Sequence, residues 1–103
     1  MTSPTTHVID KETTVQATSG QISADLGGTI AIHHIESGYY YALNAVGARV
    51  WELVKEQITV GEILQVLLGE YDVAPERCTQ DLNALLQGLA ERGLLEIGSN
   101  SQG

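Results

Sequence analysis

The stretch Gly38-Tyr39-Tyr40-Tyr41-Ala42-Leu43-Asn44-Ala45-Val46-Gly47-Ala48-Arg49-Val50-Trp51-Glu52-Leu53 decides the fold. Three consecutive tyrosines favour a short β-strand. Asn44 then suits a helix N-cap, and Val46, Val50, Leu53 and Val54 set out the apolar stripe of the helix it opens. A strand running straight into an amphipathic helix is common architecture. This strand adds aromatic side chains and reads as open along one edge, with none of the lysine, proline or bulge signals that protect edges. Tyr39 and Tyr41 share one face and Tyr40 takes the other. Packing on the helices therefore accounts for one or two of the tyrosines and leaves a remainder. An open aromatic edge is suited to capturing an extended peptide.

Upstream, residues 15–18, 21–26, 29–36 and 39–43 are strand candidates, separated by the turn dipeptides Ser19-Gly20, Gly27-Gly28 and Ser37-Gly38. Ile22, Ala24 and Leu26 alternate with polar neighbours, and Ile30 and Ile32 continue that pattern. Short linkers predict an antiparallel meander of three strands with a weak leading strand. Downstream, a helix is expected over 45–55, with Trp51 in the core. A second helix starts at the capping box Thr59-Val60-Gly61-Glu62 and buries Ile63, Val66, Leu67 and Tyr71. A third opens with Pro75 and runs through Cys78, Leu82, Leu85, Leu86 and Leu89, with Gly93 just past its end. Leu94, Leu95 and Ile97 fold back as an extended apolar tag. The fold class is α+β and winged-helix-like: a three-stranded antiparallel sheet followed by three helices. One domain over 15–97 is flanked by polar tails at 1–14 and 98–103.

At 103 residues the chain supports one modest core, burying roughly 65% of its unfolded surface. Thirteen acidic against five basic side chains give a net charge of −8. Lys11, Arg49, Lys55, Arg77 and Arg92 are scattered among acids, which argues against nucleic acid and against an anionic membrane surface. A basic or mixed-charge peptide suits this field. Cys78 is the single cysteine, so no internal disulfide or cysteine metal site is expected, in keeping with a reducing cytoplasm. There is no signal-peptide pattern, and no apolar run approaches the roughly 18 residues a membrane span needs.

No catalytic constellation emerges. His7 lies in the tail, and His33 and His34 point to opposite faces of one strand and cannot share a metal. Cys78 sits on an apolar stripe as a small hydrophobe. The carboxylates spread over predicted solvent faces, and Gly27-Gly28 lacks the lysine and helix start of a phosphate loop. The chain reads as no enzyme, with no cofactor and no metal.

The segments Gly38 to Asn44, Gly47 to Leu53 and Thr59 to Ile63, then Tyr71-Asp72-Val73, Asp81-Leu82, Leu85 to Leu89 and Gly93-Leu94-Leu95, together resemble the PqqD-like family over about residues 20–97. The resemblance implies a recognition element for ribosomally made, post-translationally modified peptides (a RiPP recognition element, or RRE). Such a domain binds a precursor's leader as an added strand, lodged against the third helix, and presents it to a maturation enzyme. Carried onto this chain, the peptide-binding residues are Tyr39, Tyr40, Tyr41, Ala42 and Leu43 on the strand, faced by Cys78, Asp81, Leu82 and Leu85, with Asp81 available to a basic leader residue. The Gly-Tyr-Tyr-Tyr-Ala-Leu-Asn and Trp-Glu-Leu segments resemble the stand-alone proteins of lasso-peptide maturation, whose partner is a separate cysteine leader protease. The pyrroloquinoline quinone branch, serving a radical enzyme, remains an alternative, although the Pro-Glu-Gly-like segment usual there is absent before the first helix. From other classes, a winged-helix DNA-binding regulator would need a basic third helix, and a hydrolase would need an activated nucleophile. Homodimerisation through the open edge is also compatible with the sequence.

Overall fold

The computed structural model describes residues 10–98. The expectations placed on His7 and on the tail segments 1–9 and 99–103 lie outside these residues. The elements run β1 (Thr14–Ala17), β2 (Gln21–Asp25), β3 (Ile30–His34), β4 (Tyr40–Leu43), α1 (Ala45–Leu53), β5 (Ile58–Thr59), α2 (Val60–Glu70), α3 (Pro75–Glu91) and β6 (Leu95–Gly98).

The antiparallel meander forms as one sheet in the order β2-β3-β4, followed by the three helices. The leading strand does not join it. β1 sits at the centre of a second sheet, β5-β1-β6, with Val15 opposite both Ile58 and Ile97. The apolar tag is therefore a strand, and the fold has two small antiparallel sheets.

Local capping fixes the helices. The Asn44 side chain accepts from the Gly47 N–H at 2.9 Å and starts α1 directly after β4. At α2 both halves of the capping box form between Thr59 and Glu62. Pro75 opens α3, and Gly93 at φ 77° follows its end, where an L side chain would be strained.

The folded unit reaches further toward the N-terminus than the polar run at 10–14 suggests. Asp10 accepts from the Glu12 and Thr13 amides, and the Thr13 and Lys11 carbonyls accept from the Val60 and Gly61 N–H groups, each at 2.9 Å. Two orphan donors at the start of α2 are thereby satisfied by backbone, a role side-chain polarity cannot signal. Gly61 permits the approach, because a Cβ there would stand 3.2 Å from the Lys11 carbonyl oxygen.

The core joins Val15, Ile30 and Ile32 from the sheets to Val50, Trp51, Val54, Ile63, Leu67, Leu86 and Leu94. Trp51 is buried there, as expected. Two details of the predicted stripes differ. On α2, Leu64 is buried and Val66 only half-buried; on α1, Val46 is exposed. Among the described residues no helix is long and apolar enough to cross a membrane.

Candidate functional site

β4 is the terminal strand of its sheet, paired to β3 on one side through Ile30↔Leu43, Ala31↔Ala42, Ile32↔Tyr41 and His33↔Tyr40. The Tyr39 carbonyl accepts from the His34 N–H at 2.9 Å. In an antiparallel pair hydrogen-bonded positions alternate, so Tyr39, Tyr41 and Leu43 direct their backbone groups at β3. Tyr40 and Ala42 direct theirs at the open edge. Replacing Tyr41 with proline would therefore remove a bond inside the sheet, not one at the edge.

Side chains alternate as well. Tyr41 and Leu43 are half-buried against the core, while Tyr40 stands on the outer face, its ring stacked 4.2 Å from that of His33. His34 takes the inner side, its Nδ1 2.7 Å from the Ser37 hydroxyl. The two histidines thus diverge, and among the described residues no cluster of three potential ligands could hold a metal. Tyr39 is exposed and meets Tyr41 edge-on at 6.5 Å.

Across the open edge lies α3, with a groove between. One part is a cavity of about 470 Å³. Ala42 and Leu43 form its β4 side, and Cys78, Asp81, Leu82 and Leu85 its α3 side. Val46, Val50, Leu67, Tyr71 and Val73 also line it. A second part of about 400 Å³ continues past Tyr40 and Tyr41, bounded by Ala84, Leu85, Gly88 and Leu89 on α3 and by Arg92 just past its end. Ala42, Leu43 and Leu85 line both, so the two parts form one trough along β4.

Of the nine residues singled out from the sequence, the groove brings together eight: Tyr40, Tyr41, Ala42, Leu43, Cys78, Asp81, Leu82 and Leu85. Tyr39 does not line it. The α3 stripe divides, with Leu82, Leu86 and Leu89 buried and Leu85 left half-buried toward β4. Lining residues that the sequence did not single out include Val46, Tyr71, Val73, Gly88 and Arg92. Val46 and Tyr71 carried a signal, since they lie on the predicted stripes and so belong to the apolar interior or its rim. Arg92 carried none.

Asp81 accepts from Arg77 at 3.3 Å, an exposed pair one helical turn apart. Cys78 is buried, and burial, with the Asp81 carboxylate adding to it, pushes its thiol above the ordinary cysteine value. A thiol held protonated is a poor nucleophile, consistent with a packing role. Arg49 on α1 grips Glu70 on α2 with Nη2 at 2.8 Å and Nε at 3.0 Å, fixing the helix pair behind the groove.

A family model described as coenzyme PQQ synthesis protein D (PqqD) matches residues 29–95. The chain belongs to the PqqD family. The matched PqqD span holds β3, β4 and all three helices, and therefore the whole groove. A solved structure, TbiB1 in complex with the TbiA(beta) leader peptide, is similar to this PqqD-family chain at 32% identity and a TM-score of 0.74. The similarity covers 79% of this chain and 94% of that one. No curated protein matches.

Proposed function

We propose that this PqqD-family chain binds the leader segment of a ribosomally synthesised precursor peptide, which adds as a strand to β4 and lodges its side chains in the groove against α3. The observation that carries this reading is the β4 edge, where Tyr40 and Ala42 turn backbone groups with no partner among the described residues toward an apolar trough. Backbone hydrogen bonds then supply affinity and the trough selects sequence. TbiB1, similar along most of its length, is in complex with a leader peptide, which supports the same use here. The protein acts in the cytoplasm as a non-catalytic adaptor. It hands the leader to a separate maturation enzyme, a cysteine leader protease of a lasso-peptide pathway. The description of the matching family favours, as a second reading, service to the pyrroloquinoline quinone pathway.

Fluorescence polarisation with the labelled leader of the precursor encoded beside this gene tests the reading. Saturable binding is expected. Ala42→Pro removes one outward N–H at an edge position that tolerates proline, and should weaken binding about tenfold or more with the circular dichroism unchanged. Equal binding by Ala42→Pro would place the peptide elsewhere. A sedimentation shift to dimer, lost in the same variant, would show the edge occupied by a second copy instead.

A further inference from the structure

We infer that the Arg92 end of the groove is a subsite for a carboxylate side chain of the bound peptide, so that the protein selects an Asp or Glu at one fixed position. The inference rests on peptide capture at β4. It comes from how the guanidinium is held. Its Nη1 donates to the Gly88 carbonyl at 3.0 Å, and its Cζ lies 5.6 Å from the centroid of the Tyr41 ring. Gly88 leaves room for this, because a Cβ there would meet Nη1 at 3.2 Å and displace it by a few tenths of an ångström. The side chain is therefore laid back along α3 over the groove. Nε and Nη2 have no acceptor among the described residues, and Arg92 makes no ion pair among them.

The groove's other arginine differs. Arg77 is engaged by Asp81, so that part of the trough is close to neutral and otherwise apolar. In a chain of net charge −8, Arg92 is a groove cation with no acidic partner among the described residues. A guanidinium anchored through Nη1, with Nε and Nη2 left to donate, suits a planar carboxylate acceptor. Its place over the Tyr41 ring ties the subsite to β4, so the acid's position is set relative to the added strand.

Selection of a phage-displayed random dodecapeptide library against the wild type, Arg92→Gln and Arg92→Glu tests this, with thermal melts to establish that each variant is folded. The wild type should enrich Asp or Glu at one position, with those peptides bound about tenfold more weakly by Arg92→Gln. Arg92→Glu should enrich Lys or Arg at that same position. If all three proteins enrich the same sequences and only the melting temperature falls, Arg92 is a helix-end residue and the subsite is refuted while peptide capture stands. Enrichment of no peptide by the wild type would overturn the underlying reading as well.

Discussion

In the β5-β1-β6 sheet, Val15 and Leu95 are 1% and 4% exposed; in the β2-β3-β4 sheet, Ile22 and Tyr40 stand 60% and 70% exposed. Both sheets have three antiparallel strands and turn one face to the core. The first, closed one carries polar Gln16 and Glu96 on its solvent face, whereas the second, open one leaves Ile22 and Tyr40 there beside the free edge of β4. The closed sheet is assembled from segments far apart in sequence, with Thr14 pairing with Gly98. The open one is a local meander whose inner side alone, through Ile30 and Ile32, reaches the core. An unpartnered edge is a hazard for a resting protein and a resource for one that recruits a strand.

This contrast is sharpest where side chains are truncated. Leu95→Ala in the closed sheet should cost about 2–5 kcal/mol, read as a lower midpoint in urea denaturation. Ile22→Thr on the open sheet should stay within about 0.5 kcal/mol, because its side chain already lies in water. If Ile22→Thr costs as much as Leu95→Ala, the outer face is covered in solution and the distinction between the sheets fails.

A smaller effect lies with the helices behind the groove. The hydrogen bond from Arg49 holds the Glu70 carboxyl below its ordinary value. That contribution to stability is complete above the ordinary carboxylate value, and is lost as pH falls through the lowered one. The pair is exposed, so only a slight change is expected. Thermal melts of Glu70→Gln against wild type should differ slightly at pH 7 and converge once the pH has fallen below the lowered value; a difference that stays constant with pH would assign the change to packing.

The same division governs what could be read from the sequence. The capping box at Thr59, Pro75 at the start of α3 and Gly93 after its end act within a few residues, and each sits where its chemistry demands. The meander is equally local, its turns marked by glycine. The pairing of β1 with β6 is not, because alternation in Val15 to Ala17 specifies a half-buried strand and leaves its partner open. Most of the groove residues were legible as apolar strand and helix positions. The separation of Leu85 from Leu86 was not, since one stripe serves both core and trough. Nor was the outward aim of Ala42, which depends on the β3 register. Arg92 depends on a glycine one turn away and a tyrosine on another element.

The alternation along β4 also sets a ceiling. Only Tyr40 and Ala42 face outward, so an added strand finds at most four backbone groups there. At about 0.5–1.5 kcal/mol each, these contribute on the order of 2–6 kcal/mol, a range centred on millimolar affinity before the entropy of association is counted. Extended chains of arbitrary sequence should therefore come and go without lodging, and residence on this protein is decided by what the trough accepts.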